Sequence, residues 1–279
     1  MRSQVLFALG AALMLPRGAV GQPAPPAPPE AVLRMQFRPR STARYTAHSV
    51  QRARVRGREV RTATRVSFTV ATGEVREDGA AERSIRVSEA ALDAGALTPA
   101  ARARVLRGLR SAVLRYRESP RGEIHGRELG GAESPDAAGV VDAMMQSFDA
   151  YLPVLPERAL RVGARWSSRR DITAAPIAGS RVSLRCEVEY TLRELRQDGA
   201  AVLGLTARLA APEGATVAGV PFQGEGRATG EAVLDLRAGL LRESTVRGDF
   251  TSRLTVRGAE VILPTHFEDE LRLLGARPR

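Results

Sequence analysis

The chain has 279 residues, a formal net charge of +11 and one cysteine. A single cysteine excludes an internal disulfide, so a fold of this length needs a conventional core, in one large β domain or two small ones. The charge by itself is typical of nucleic-acid-binding proteins. All 42 basic residues are arginine, however, and they are spread among 31 acidic residues. We therefore expect no nucleic-acid partner.

Residues 1–21 have the pattern of an export signal. Arg2 precedes a short apolar run, and Ala19, Val20 and Gly21 supply small residues for cleavage. The run is shorter than the roughly 20 apolar residues of a membrane-spanning helix. Residues 22–30 are rich in proline and alanine, which predicts an extended linker. We expect a soluble exported protein, periplasmic or extracellular and not lipid-anchored, whose residues 31–279 form a single domain.

Alternation of apolar and polar residues dominates this domain. From Val182 to Leu192 every second residue is apolar, which predicts a half-buried antiparallel strand. Asp198 and Gly199 then predict a turn into a second alternating strand. Similar runs occur at residues 43–47, 60–70, 85–87, 246–256 and 261–267. The pattern predicts a mainly β (α+β) protein, with about 8–11 strands in a strongly curved antiparallel sheet or half-barrel.

The first departure from this alternation begins at Thr98 and Pro99, a hydroxyl cap followed by proline at the first helical position. The apolar positions predict a helix with one buried face, formed by Val105, Leu106, Leu109, Ala112, Val113 and Tyr116. The opposite face is basic and carries Arg104, Arg107, Arg110 and Arg115. Such a helix binds an anionic membrane surface or an acidic protein partner, or it covers the sheet with a solvated face.

A second helix is predicted from Ser134 and Pro135, which repeat the cap-and-proline signal, to a stop at Pro153. Its apolar stripe includes Met144, Met145 and Phe148. Together the two helices form a predicted insert near residues 98–152. Strands on both sides of a helical insert favour a sheet whose concave face is packed by the two helices.

Trp166 is the only tryptophan of the chain and follows Gly163, a residue that permits a sharp turn. We expect the indole to face the core, as an apolar plug where the helices meet the sheet. The alternative is an indole that stacks on a ligand in an apolar pocket.

Residues 155–166, LPERALRVGARW, resemble a signature of uncharacterised exported bacterial β proteins, a proline followed by V-x-V-G-D-x-W. Residues 222–244 resemble the strand pair G-x-G-x-G … F-D-x-x-x-G-x-L of the same group. The resemblance covers mainly residues 153–256, and Ala164 stands where the group has an acid. These proteins are similar in architecture to periplasmic lipoprotein carriers, in which an open half-barrel encloses helices and an apolar hollow. The resemblance thus implies binding of a hydrophobic ligand without a reaction.

Alternate residues from Gly224 to Ala232 are glycine or alanine. The glycine-rich stretch lacks the following helix that a phosphate-binding loop requires. Small residues on one face of a strand instead predict a sharp bend or the close approach of a helix.

No catalytic or metal-binding constellation is predicted. His266, Glu268 and Glu270 share a strand face, but no HExxH motif or cysteine pair accompanies them. A G-x-S-x-G nucleophile elbow is missing. Cys186 lies at an apolar position of its strand, where a thiol is usually inert.

The sequence therefore favours a non-enzymatic protein, without cofactor or metal, that binds a hydrophobic small molecule or lipid in the hollow of the sheet. The alternative is a structural or protein-interaction module of the cell envelope with a filled core. The residues expected to line the hollow are Val105, Leu109, Val113, Met144, Met145, Phe148, Trp166, Phe222 and Phe250.

Overall fold

The computed structural model describes residues 30–55, 57–94, 98–131, 152–174, 182–256 and 258–278. They form one sheet of 12 antiparallel strands and one helix, which confirms the mainly β class with more strands than expected. The elements are β1 (Ser41–Val55), β2 (Arg58–Val75), β3 (Ala81–Ala94), α1 (Pro99–Ser111), β4 (Val113–Glu118), β5 (Ile124–Gly130), β6 (Arg165–Ala174), β7 (Val182–Leu195), β8 (Ala200–Ala210), β9 (Thr216–Val217), β10 (Val220–Asp235), β11 (Leu240–Val256) and β12 (Ala259–Pro278). The predicted signal, nearly all of the linker and the second helix lie outside the described residues.

The strands follow one another across the sheet in the order β5-β4-β3-β2-β1-β12-β11-β10-β8-β7-β6, and β9 lies off this path beside β10. Nearly all neighbours in space are also neighbours in sequence, with β1 and β12 joining the two halves of the chain. In the part of the chain that the structure describes, the outer strands β5 and β6 do not pair with each other. The sheet is therefore open.

Alternation gives the sheet an apolar inner face and a polar outer face. In β7 the six alternating residues from Val182 to Leu192 are each at most 5% exposed, as the sequence predicted. The outer face carries cross-strand pairs of arginine and glutamate, such as Arg193 with Glu231 at 2.9 Å. Because such pairs are solvent-exposed, each contributes only about 0–1 kcal/mol, and burial of the inner face provides most of the stability.

Opposite edges of the sheet meet at one end, which we call the closed end. The backbone N–H of Leu155 donates to the carbonyl oxygen of Arg121, between β4 and β5, at 2.8 Å. The preceding residue, Val154, accepts a 2.7 Å hydrogen bond from the indole Nε1 of Trp166 in β6. β4 and β6 are nine strand positions apart, which is roughly 40 Å in a flat sheet. The sheet is therefore strongly curled.

Residues 30–40 run across the closed end and join its parts. Ala31 bridges to Leu160, and the backbone N–H groups of Met35 and Gln36 donate to carbonyl oxygens of two different turns. Buried side chains of this segment and of residues 152–160 pack on the inner face of the sheet, namely Leu33, Met35, Phe37, Leu152, Leu155 and Leu160. Together with the buried residues of α1 and of the strands in the same cluster, they form what we call the closed-end core. This end of the sheet is filled by the chain itself.

Helix α1 begins as predicted, with the Thr98 hydroxyl accepting a 3.2 Å hydrogen bond from the N–H of Ala101. Leu109 is 1% exposed in the closed-end core, so this helix packs on the inner face as expected. Among the described residues it is the only helix, whereas the sequence predicted two.

The predicted extension of this helix through Val113, Arg115 and Tyr116 was wrong. The helix ends at Ser111, and these three residues belong to β4, which pairs with β3. In β4 the apolar residues alternate with arginines, a pattern that over six residues also fits one side of a helix. Pairing with the free edge of β3 decides in favour of the strand, since it satisfies the backbone groups of that edge.

A buried ion pair lies in the closed-end core. Arg83 Nε and Glu118 Oε2 are 3.6 Å apart, and both side chains are at most 5% exposed. The guanidinium of Arg83 also lies 5.1 Å from the ring centre of Phe37 and donates to the Gly239 carbonyl oxygen at 3.4 Å. Burial raises the pKa of Glu118, and Arg83 opposes that shift. The pair thus connects β3, β4 and the segment that crosses the closed end.

Removing one partner of this pair should destabilise the fold, because the other charge stays buried without compensation. Glu118→Leu should lower the free energy of unfolding by about 3–5 kcal/mol, measured by urea denaturation. The double variant Arg83→Met/Glu118→Leu should recover most of the loss. Asp93→Ala, which breaks the exposed pair with Arg61, should cost less than about 1 kcal/mol. Equal losses in the single and double variants would contradict this account.

Candidate ligand-binding face

A second apolar cluster covers the inner face away from the closed end. It is built from β7, β8, β9, β10 and β11, and we call it the β7–β11 cluster. Its buried members are Val182, Leu184, Cys186, Val188, Tyr190, Leu205, Ala207, Leu209, Val217, Phe222, Ala228, Phe250 and Leu254. All the described members, including those that are partly buried, come from the sheet or from the connection between β8 and β10. Among the described residues, the cluster is therefore formed by one sheet layer and this connection.

Trp166 lies where the two apolar regions meet. It packs against both the closed-end core and the β7–β11 cluster. Its ring is stacked on Tyr190, with ring centres 5.4 Å apart and planes 23° apart. Such aromatic pairs contribute about 0.5–1.5 kcal/mol beyond the area they bury. With its N–H bonded to Val154, the indole is anchored where the two apolar clusters of the inner face meet. The predicted position between the two helices and the sheet stays a prediction, because the second helix lies outside the described residues.

One charged side chain reaches the polar margin of the β7–β11 cluster from the inner face of β6. Arg170 pairs with Cys186 in the strand register. It donates to the Tyr190 hydroxyl at 2.6 Å and to the Leu152 carbonyl oxygen at 3.0 Å. Burial raises the pKa of Tyr190, and Arg170 opposes this shift. The sequence pattern did not identify Arg170, although it has the same parity in β6 as Trp166.

Cys186 is buried in the same cluster. Burial raises the pKa of its thiol, and the positive charge of Arg170 only partly opposes this. The thiol is therefore protonated at neutral pH, which is the unreactive form. This agrees with its assignment as a small apolar core residue.

The row of small residues in β10 makes room for aromatic rings. A Cβ atom added at Gly224 or Gly226 would lie 2.5 or 2.7 Å from atoms of the Phe250 ring. A Cβ at Gly230 would overlap the carbonyl oxygen of Thr245 in the neighbouring strand. Glycine thus permits the flat packing of Phe250 and the close approach of β11. The close approach predicted for a helix is made by the Phe250 ring of the neighbouring strand. A sharp bend of β10 stays a prediction.

A cleft of about 320 Å³ separates the β1–β2 hairpin from the β11–β12 hairpin and reaches Phe250. Its walls are formed by residues of both hairpins, including Arg54, Glu59 and Pro264. Small-molecule sites have volumes of roughly 300–1,000 Å³, so the cleft is at the lower limit of that range. Asp249 and His266 also line the cleft, and their strand parity is opposite to that of Phe250, so the cleft opens on the outer side of the sheet.

The predicted lining residues do not form one group. Phe222 and Phe250 belong to the β7–β11 cluster and Trp166 packs against it, whereas Val105 and Leu109 lie in or against the closed-end core. Val113 is half-buried in β4. The remaining three, Met144, Met145 and Phe148, lie outside the described residues.

The predicted basic surface is smaller than expected. Arg104, Arg107 and Arg110 are exposed on α1, but Arg115 lies in β4 and is not part of a helical face. Arg115 is not part of the basic surface because the helix ends at Ser111. Three arginines on one helix remain available to an anionic surface or an acidic partner.

His266 is held between two carboxylates on the outer face. Its Nδ1 lies 3.0 Å from Asp249 Oδ1, and its Nε2 lies 3.3 Å from Glu268 Oε1. Since both ring nitrogens donate, the imidazolium form is favoured, and the hydrogen bond to Asp249, followed by that to Glu268, raises the pKa of His266. No cluster of three or more potential metal ligands occurs among the described residues. The pair His266 and Glu268 thus forms part of a charge network.

The buried Arg83 and Glu118 were missed at the sequence level. Arg83 has the same parity as Ile85 and Val87, so the alternation of β3 places it on the inner face. Glu118 was hidden because its strand was interpreted as the end of a helix. The alternation of β3 thus predicts that Arg83 is buried, whereas the burial of Glu118 follows only when residues 113–118 are assigned to a strand.

No protein-family model and no curated protein matches this chain. Among solved structures, the fold is similar to a structure described as "Lipid-protein interactions in lipovitellin", with a TM-score of 0.51 and 10% sequence identity. The match covers 87% of this chain and 26% of that one, so the chain spans about a quarter of the lipovitellin chain. At this identity the likeness concerns the fold alone. None of the described helices combines the length and apolar character needed to cross a membrane.

Gly230→Ala should destabilise the protein, because the new methyl group forces β10 and β11 apart. We expect a loss of about 1–3 kcal/mol in the free energy of unfolding, measured by chemical denaturation. Gly275→Ala is the matched control in β12, where an added Cβ meets no atom within 4 Å. Similar losses in the two variants would show that close strand packing is not the cause.

The pKa of His266 should be above its usual value of about 6.5. Because the folded-state pKa is raised, the stabilisation is present at pH values below the unfolded pKa and is lost as the pH rises through the folded pKa. NMR titration of the imidazole protons measures this value. Asp249→Asn should lower it, and an unchanged titration in that variant would refute the assigned hydrogen bond.

Proposed function

We propose that this chain is a non-enzymatic exported protein that binds a hydrophobic ligand, of the chemical class of a lipid acyl chain, on the inner face beside the β7–β11 cluster. The observation that carries the proposal is the apolar β7–β11 cluster, whose described members all come from the sheet and from the connection between β8 and β10.

Three further features support this proposal. The lipovitellin structure, which has a similar fold, is described in terms of lipid–protein interactions. The resemblance to exported β proteins with carrier-like architecture implies the same class of ligand. The protonated, buried thiol of Cys186 provides no nucleophile at this face. Export is supported by the signal pattern of residues 1–21.

A structural or protein-interaction module of the cell envelope is the second candidate. One observation favours it, namely the low exposure of the β7–β11 cluster, whose buried members are at most 9% exposed. In that case the inner face is already a filled core, and partner recognition takes place on the outer surface.

A matched pair of variants on β8 tests ligand binding. Ala207 lies on the inner face and Thr206 on the outer face. Ala207→Phe should weaken the binding of a fluorescent fatty acid roughly tenfold, because the added ring occupies apolar ligand space. Thr206→Phe should leave the affinity unchanged. Fluorescence titration measures both, and circular dichroism establishes that each variant is folded.

Native mass spectrometry of the gently purified protein provides a second readout. A co-purified lipid mass that is lost in Ala207→Phe and retained in Thr206→Phe supports the ligand-binding proposal. If the wild-type protein neither carries a lipid nor binds the fatty acid, that proposal is wrong and the filled module is favoured.

A further inference from the structure

The turns of the β1–β2 and β11–β12 hairpins lie at the end of the sheet opposite the closed end, where β1 and β12 no longer pair and only β10 still flanks β11, as far as Leu254. β3 pairs with β2 only as far as Thr62, and β12 pairs with β1 only as far as Ala53. Beyond these positions each hairpin has no neighbouring strand on that side among the described residues. We call residues 52–61 and 253–262 the hairpin tips.

The two tips have nearly the same sequence. Residues 55–60 read V-R-G-R-E-V, and residues 256–261 read V-R-G-A-E-V. In each tip the glycine has a φ of +79°, a left-handed conformation that favours glycine in tight hairpin turns. Both tips thus combine an aliphatic residue with a glycine turn at the same end of the molecule.

Exposed aliphatic side chains are concentrated at these tips. Seven large apolar residues are exposed in the described part of the chain, and four of them are Val55, Val256, Val261 and Ile262, with 38–47% exposure. Isolated exposed apolar residues are common on protein surfaces, but a local concentration marks an interaction site.

The tips also carry positive charge. Their sequences contain seven arginines and two glutamates. Arg52, Arg61 and Arg253 lie in exposed ion pairs. Arg54 and Arg58 form no ion pair with any other residue that the structure describes. Exposed aliphatic side chains in the same tips as arginines without an ion pair match the two layers of an anionic bilayer surface, its acyl region and its phosphate region.

We propose that the two hairpin tips form a docking surface for an anionic lipid membrane. The valines and the isoleucine enter the boundary between headgroups and acyl chains, while the arginines contact lipid phosphates. This inference does not depend on the proposed ligand, because it is carried by the tips and not by the inner face.

Sedimentation of the full chain with lipid vesicles tests the proposal. The protein should bind vesicles of phosphatidylcholine mixed with phosphatidylglycerol much more tightly than vesicles of phosphatidylcholine alone, and salt should weaken the binding. Arg54→Gln/Arg58→Gln should reduce the affinity by roughly tenfold or more, as expected from the contribution of each arginine near such a surface. Val256→Ser/Ile262→Ser should reduce it on the same vesicles.

Because the whole chain is basic, the control must remove equal charge elsewhere. Arg161→Gln/Arg237→Gln does so with exposed arginines near the closed end, and it should leave vesicle binding unchanged. Equal losses in the two arginine variants would reveal general adsorption and overturn the proposal. Unchanged binding in both tip variants, or no vesicle binding by the wild-type protein, would also overturn it and would assign the patch to a protein partner.

The orientation on the membrane has a separate readout. Val256→Trp places an indole at a tip, and Val162→Trp places one near the closed end, where the valine is similarly exposed. Anionic vesicles should shift the tryptophan emission of Val256→Trp to shorter wavelength, because indoles enter the membrane interface. The emission of Val162→Trp should not change. A shift in Val162→Trp alone would overturn the proposed orientation.

Fatty-acid binding should persist in all tip variants, which separates this proposal from the proposed function.

Discussion

The curl of the sheet depends on the contacts that residues 152–160 make with both of its edges. Leu155 bonds to Arg121 on one side, while Val154 accepts the indole N–H of Trp166 on the other. An open sheet of this width buries little of its inner face when it is flat, because a single layer leaves both faces in water. Once the edges are joined, the inner faces of distant strands share one core. Residues 30–40 complete this end, and the buried pair of Arg83 and Glu118 connects them to the sheet.

Joining the edges at one end divides the inner face into regions of different character. The closed end is filled by side chains from the two irregular segments. Farther along, β7 to β11 remain apolar, whereas the facing part of β1 and β2 carries Ser49, Gln51, Thr62 and Thr64. The apolar surface is therefore continuous on one side of the curl only.

Much of the sheet could be predicted from the sequence, because period-two alternation is long and regular in β7, β8, β11 and β12. β4 and β5 were missed since short strands contain too few residues to distinguish a period of two from a helical face. The path of residues 30–40 carries no periodic signal, and its contacts depend on turns that come together only in the folded chain. Of the residues predicted to line one hollow, Trp166, Phe222 and Phe250 lie in or against the β7–β11 cluster, whereas Val105 and Leu109 lie in or against the closed-end core. The alternation within one strand predicts which face of the sheet a residue lies on, whereas the residues that it contacts across the inner face depend on how the sheet curls.

Charge is distributed over the sheet according to the same geometry. On the outer face, arginine and glutamate alternate between neighbouring strands and largely neutralise each other, as in the pairs of Arg193 with Glu231 and Arg169 with Glu187. Arg54 and Arg58 of the β1–β2 tip lie beyond the pairing of β1 with β12 and of β2 with β3, and neither forms an ion pair with another described residue. The same divergence of the two hairpins opens the cleft between them. The exposed aliphatic residues, the two arginines without an ion pair and the cleft thus share one structural cause, the early end of strand pairing at this end of the sheet.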